Sequence, residues 1–371
     1  MSRAEGLNVL AKMFRVVLVA LSLVACLFGL RSSVSLQPVT TIVPAGNSPF
    51  AVAVNPATGK IYVANFGDAR LTVIDGDTEV FADILVGNRP GAVAVDTQRN
   101  RIYVANQGDN TVTAIDGETN RTSTIAVGLS PVAVAVNAET NKIYVANQLG
   151  NSITVIDGES HNMVNIPAGA GPLAVAVDPV RNRVYVANID SNDVTVLNDA
   201  GAGAGNVAAT VPVGLHPVAV AVNPDDGQVY VVNRGDNSVT VISTTGKTAR
   251  IPVSSQPIAV VVDPHANKAY VANALSNEVT VIDGASRSTS VIATGSTPVF
   301  LAINTVTGQV YVANQGSNTI TVLPTESHKQ VTLASGASPH AVAVNPLKNK
   351  IYVANLGNRT VTIIDGSQAA R

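Results

Sequence analysis

One pentapeptide dominates the chain: Ile-Tyr-Val-Ala-Asn at Ile61–Asn65 returns, with small changes, around Tyr103, Tyr144, Tyr185, Tyr230, Tyr270, Tyr311 and Tyr352. Successive tyrosines lie 41, 41, 41, 45, 40, 41 and 41 residues apart, and the 8 tyrosines of the 371-residue chain are all spent on this motif. A fixed period near forty residues means that one supersecondary unit is laid down again and again, each copy burying its apolar face against the next. Few folds are open to such a chain. The uniformity of the motif also assigns it to construction rather than to chemistry.

Within one period the pattern is four short apolar runs separated by turn residues, the signature of strands. In the third copy the runs are 131–136, 142–147, 152–157 and 163–168, here called A, B, C and D. Run A alternates Val and Ala, as in Ala51–Val54. Side chains alternate faces along a strand, so one face is large and the other small, which suits a place where neighbouring sheets converge. Run C alternates Thr with Val or Ile, as in Val279–Ile282, and predicts a strand farther out where some polarity is tolerated. The A-B turn carries Gly or Asn at one fixed position: Gly59, Asn100, Asn141, Asn182, Gly227, Asn267, Gly308 and Asn349. These residues accept positive φ most readily, so a left-handed residue is expected there. The C-D turn is usually Asp-Gly, as in Asp75-Gly76. After Asp199 it is replaced by the insertion Ala200–Gly205, which accounts for the 45-residue spacing and predicts a mobile loop. The Asn that ends run B reads as a turn residue whose amide bonds nearby backbone.

The chain ends just after an eighth C run, Thr360–Ile364, and the missing D run lies at the start, where 39–46 matches the D pattern. The two ends therefore complete one sheet and close a ring, which protects edges that would otherwise be exposed. Tyr-Val-Ala-Asn at this period, preceded by Pro-x-Ala-Val-Ala-Val-Asn-Pro and followed by Val-Thr-Val-Ile-Asp-Gly, resembles the YVTN β-propeller repeat family over residues 39–366. The departure is Ala for Thr in the third position. The resemblance implies an exported, often surface-associated propeller of four-stranded antiparallel blades, similar also to the propellers of lactonases and lyases; it implies no single activity. The expected fold is all-β, an eight-bladed β-propeller closed by 39–46, with 36–371 as one domain. An outer-membrane barrel is excluded, because runs of five or six residues fall short of the 9–11 a spanning strand needs and 4% aromatics without Trp cannot build girdles.

The first 35 residues differ from the rest. Arg3, Lys12 and Arg15 precede the apolar run Val16–Leu30, and Arg31, Ser32 and Ser33 follow it, as in an export signal. Three outcomes are open: cleavage near Ser33-Val34-Ser35, lipidation at Cys26 within Leu23-Val24-Ala25-Cys26, or retention as an N-terminal membrane anchor. All three put the remainder in the periplasm or at the cell surface, with membrane contact through this segment only. The single Cys rules out an internal disulfide framework and a cysteine-based zinc site. A net charge of -2 lacks the basic footprint of a nucleic-acid binder.

Repeated residues serve the fold, so function is sought where one copy departs from the others. On the face that carries the D-A and B-C loops the departures are Phe66, Arg70, Arg89, His216, Arg234, Gln256 and His340. His340 stands where other copies have Phe50, Gly91, Val132, Leu173, Val218, Ile258 or Val299. Histidine is the side chain type suited to acting as a base or metal ligand near neutrality, which makes His216 and His340 candidates, but they lie three blades apart and no acidic partner recurs beside them. Arg89 and Arg234 suit an anionic ligand or ordinary solvated loops. Arg234-Gly235-Asp236 spells an adhesion tripeptide yet varies a turn read elsewhere as Gln107-Gly108-Asp109. Asp75, Asp77 and Glu79 lack the spacing of a full calcium loop. No phosphate loop, nucleophile elbow or paired-histidine zinc motif occurs, so no cofactor or metal is expected. The expected function is a monomeric, non-catalytic exported scaffold binding a protein or cell-envelope glycan through one face. The alternative is a lactonase- or lyase-like enzyme with its site at the mouth of the central channel.

Overall fold

The computed structural model describes residues 40–199, 206–325 and 329–369. The stretch expected to be an export signal, with Cys26, and the insertion Ala200–Gly205 lie outside the described residues. The apolar runs form eight separate four-stranded antiparallel sheets, each in the order A-B-C-D. In blade 1 these strands are Pro49–Asn55, Lys60–Asn65, Arg70–Asp75 and Phe81–Leu85. Each A strand contacts the A strand of the next blade, and Pro339–Asn345 of blade 8 contacts Pro49–Asn55 of blade 1, so the ring is closed around a channel walled by A strands. In blade 8 strand D is the N-terminal Thr40–Pro44, paired from Thr40↔Ile364 to Pro44↔Thr360 on Thr360–Asp365. The expected eight-bladed propeller and its closure are both present.

The Val/Ala alternation follows from how the blades meet. Ala51, Tyr62, Ala64 and Leu71 of blade 1 pack against Val93, Val95, Ile102, Val104 and Ile115 of blade 2. The opposite face, Val52, Val54, Ile61, Val63 and Ile74, packs on Tyr352, Ala354, Val361 and Ile363 of blade 8. Near the axis, where blades converge, the small partner is Ala; one strand out, where they diverge, Tyr fills the wider gap. Tyr62, Tyr103, Tyr144 and Tyr352 are completely buried there.

All eight expected left-handed positions in the A-B turns have positive φ, from 49° at Asn182 to 74° at Gly227. The C-D glycine has a different reason for being glycine. A Cβ on Gly117 would stand 2.3 Å from Asn100 Oδ1 of its own blade's A-B turn, and the left-handed residue of the C-D turn is not Gly117 but Asn120. Strand C lies third from the channel, as expected, and the Thr hydroxyl it carries is buried there, at Thr72, Thr113 and Thr154. One expectation needs correction. The Asn ending strand B bonds chiefly to that hydroxyl rather than to backbone, as Asn147 Nδ2 does to Thr154 Oγ1 at 2.8 Å.

Candidate functional site at the channel mouth

Every A strand carries a β-bulge at its start, where the register slips between Pro49 and Ala51 in blade 1 and likewise in the other seven blades. The extra residue is Phe50 and its counterparts, among them His340. A bulge frees one residue from the ladder and re-aims its side chain, which is why bulges recur at rims and functional sites. Eight bulges thus set a ring of side chains at one end of the channel, on the face of the D-A and B-C loops.

In one sector that ring is aromatic. The His340 and Phe50 rings lie 4.3 Å apart at 38°, and Phe50 and Phe66 lie 5.4 Å apart at 37°. The Arg89 guanidinium carbon sits 6.0 Å from the Phe66 centroid, within the range of a cation–π contact. The stack crosses blades 8, 1 and 2. Gly91, at the bulge of blade 2, borders it, and a Cβ there would lie in ordinary van der Waals contact with the Phe66 ring at 3.8 Å. Beside the stack opens a cavity of about 590 Å³ lined by Phe66, Gly67, Asp68, Asn88, Arg89 and Gly108. Asp68 Oδ2 accepts the Asn47 N–H at 2.9 Å, and Asp109 fixes Asn88 through both its backbone and side-chain amides. The polar rim of the cavity is therefore held in place. Burial pushes the His340 imidazole below its ordinary 6.5, so near neutrality it stacks as an uncharged ring. Next to it Ala341 and Val342 are 4% and 3% exposed, whereas Ala51 and Val52 are half-buried. In blade 7 the same sector presents Phe300, 41% exposed, in place of an alanine.

The sequence-derived candidates separate into groups. Phe66, Arg89 and His340 come together with Phe50. His216 and Arg234 meet in blade 5: the Arg234 N–H donates to His216 O at 3.0 Å, and Gln256 is tied to the same loop through Asn237 Oδ1 at 2.8 Å. His216 and Arg234 are both exposed. Arg70 leaves the mouth altogether, drawn toward strand D by Asp83 at 3.2 Å. His216 and His340 share no contact. Asp77 is engaged by Lys348, and Asp75 Oδ1 accepts the N–H groups of its own turn. Among the described residues no group of three or more His, Cys, Asp or Glu side chains converges. Phe50 and Phe300 were missed as candidates. A signal existed: of the 6 phenylalanines of the chain, Phe50 and Phe300 stand in A runs where the other copies have smaller residues.

Comparison with known proteins agrees with the fold. The family described as Lactonase, 7-bladed beta-propeller, matches residues 157–288, about a third of this eight-bladed chain. Among solved structures, a streptogramin B lyase superposes with a TM-score of 0.61 at 12% identity, covering 74% of this chain and 92% of its own. Hydrazine synthase of Kuenenia stuttgartiensis gives 0.62 at 20% identity, covering 88% and 97%. A virginiamycin B lyase from Staphylococcus aureus gives 0.60 at 10%, covering 74% and 94%. No curated protein matches. The chain is a β-propeller.

Proposed function

We propose that this chain is an exported, non-catalytic propeller of the YVTN repeat type, delivered by its first 35 residues, that binds a cell-envelope glycan or protein at the channel mouth. The observation that carries the reading is the stack of His340, Phe50, Phe66 and Arg89 beside a cavity rimmed by Asp68 and Asn88. Flat apolar rings next to a fixed carboxylate, amide and guanidinium suit a sugar ring, whose C–H face stacks on an aromatic while its hydroxyls bond the rim. Proton-transfer catalysis needs an acid and a base within hydrogen-bond reach of one reacting atom, and the stack offers a neutral His340 with no carboxylate in contact. Binding to purified envelope fractions, measured with Phe66→Ala and Arg89→Ala beside the wild type, tests the reading. Loss of at least about tenfold in affinity, roughly 1.4 kcal/mol, is expected for each. Equal binding by both variants would remove the mouth as the site.

A second reading has one observation in its favour. The lactonase-family match over 157–288 contains His216, Arg234 and Gln256, the second group of departures. On that reading the chain is a lactonase- or lyase-like hydrolytic or eliminating enzyme with its site above blade 5. A lactone-opening activity lost in His216→Ala, with envelope binding intact, would favour it over the scaffold.

A further inference from the structure

The second face, which carries the A-B and C-D loops, also breaks the repeat. There the first residue of strand B latches onto the C-D turn of the following blade: Lys60 Nζ donates to Gly117 O at 2.7 Å, Lys350 Nζ to Gly76 O at 2.5 Å and Arg101 Nη1 to Gly158 O at 3.1 Å. In the groove between blades 2 and 3 the latch stands among further donors. A cavity of about 270 Å³ is walled there by Arg101, Thr119, Arg121, Thr122, Ser123 and His161. The corresponding positions between blades 1 and 2 hold Lys60, Ala82 and Asn120.

We propose that this groove binds a phosphate group. Arg101 is held between Gly158 O and the His161 ring, with Nη1 3.5 Å from Nε2, and His161 Nδ1 lies 3.3 Å from Ser123 Oγ. A guanidinium has only donors, so the tautomer that fits this contact accepts on Nε2 and carries its proton on Nδ1. That proton points at Ser123 Oγ, which leaves the serine hydroxyl hydrogen to turn toward a ligand. The same tautomer removes His161 as a base for Ser123, so the pair is not a nucleophile and its activator. Arg121 is exposed and makes no ion pair with any described residue. Asp116 also faces the groove, but its Oδ1 is committed to the Glu118 and Thr119 N–H groups and the Thr119 hydroxyl. Two guanidiniums against one carboxylate leave the groove positive. Its donors, Arg101, Arg121, Thr122 and Ser123, come from strand B, the C-D turn and strand D of blade 2, with His161 of blade 3 orienting two of them, an arrangement that suits an oxyanion with oxygens in several directions. Guanidinium groups are the side chains best matched to it.

The test titrates the full-length protein with inorganic phosphate while following the imidazole signals of His161 by NMR, assigned with His161→Asn. Asn tolerates this position, since Asn120 holds its counterpart at φ 58°. A saturable shift is expected, weakened about tenfold or more in Arg121→Ser, roughly 1.4 kcal/mol, with an unchanged melting temperature. No saturable shift, an equal response in Arg121→Ser, or the same shift with sodium chloride at matched ionic strength would overturn the proposal. Vesicles of phosphatidylcholine with and without phosphatidic acid locate the source of the phosphate. Phosphatidic-acid-dependent sedimentation that inorganic phosphate competes away and Arg121→Ser abolishes assigns a lipid headgroup. Phosphate binding without sedimentation assigns a soluble phosphorylated ligand.

Discussion

Asn147 and Thr154 show how a single pair of side chains holds the first-face loops. Thr154 Oγ1 accepts from Asn147 Nδ2 at 2.8 Å and from the Gly128 N–H at 3.2 Å, and donates to Asn165 Oδ1 at 2.5 Å. One buried hydroxyl thereby ties together the end of strand B, the middle of strand D and the D-A loop, and the Asn-to-Thr bond recurs in all eight blades. Thr154→Val keeps the shape and takes the acceptor from one N–H of the buried Asn147 amide and from the Gly128 N–H, while the exposed Asn165 can turn to water; a buried donor left unpaired costs about 1–3 kcal/mol. Denaturant unfolding should show a loss of at least that size, and an unchanged midpoint would refute the hub. His340 makes a prediction of opposite character, because its partner is water in the unfolded chain. Its folded pKa lies below its ordinary 6.5, so between those two values the unfolded state binds a proton that the folded state refuses. Its effect on stability is therefore absent above about pH 6.5 and becomes a growing penalty as pH falls toward the folded pKa. His340→Val, the residue of Val132, Val218 and Val299, should lose less melting temperature than the wild type between pH 8 and pH 5; parallel losses would contradict the burial account.

Between elements, the decisive contacts cross from blade to blade. Asp199 occupies the place of the C-D glycine, and its fully buried carboxylate accepts the Asn137 amide and the Thr140 hydroxyl of blade 3 and lies 2.9 Å from Lys142 Nζ, which is itself 13% exposed. The Tyr144 phenol is pushed far up by burial and by that same carboxylate. Asp199→Gly would restore the repeat's own residue and yet is expected to destabilise by about 3–5 kcal/mol, the usual result of breaking a buried pair from one side; differential scanning calorimetry on the variant checks it. The contrast marks what was legible in the sequence. Left-handed turn residues could be read off because positive φ is a local matter: Gly59 has no Cβ to clash, and Asn100 is of the type whose short polar side chain tolerates the left-handed region. Val/Ala alternation could be read because strand periodicity is local too. The role of Asp199, the grouping of Phe50 with His340 and Phe66, and the groove at Arg101 could not, because each depends on what the neighbouring blade brings opposite. Arg70 illustrates the limit: by loop position it belonged to the channel mouth, but Asp83, thirteen residues on, turns it outward.

At the scale of the whole ring, every blade but one is continuous in sequence, and that one carries the energetic consequence of closure. Blade 8 takes Thr40–Pro44 as its outer strand, with Val43 buried at 4% exposure among Tyr352, Ala354, Val361 and Ile363. The join is reinforced on the second face, where Lys350 latches onto Gly76 O and Lys348 pairs with Asp77 of blade 1. These charges are partly exposed, and exposed pairs contribute at most about 1 kcal/mol, so the outer strand should dominate the closure. Deleting residues 36–46 strips strand C of blade 8 of its partner and presents Thr360–Asp365 as a free edge, the kind of surface that pairs with other chains. The deletion should lower the melting temperature sharply and produce concentration-dependent association by light scattering, while the double variant Lys348→Gln, Asp77→Asn should shift melting only slightly. A synthetic peptide spanning 36–48 added in trans should restore much of the lost melting temperature, because the ladder from Thr40↔Ile364 to Pro44↔Thr360 needs no covalent link to form. A deletion that melts like the wild type would mean that the seven continuous blades and three-quarters of the eighth hold the ring without the strand. In that case the Lys348 and Lys350 contacts, not the shared sheet, would be the closure.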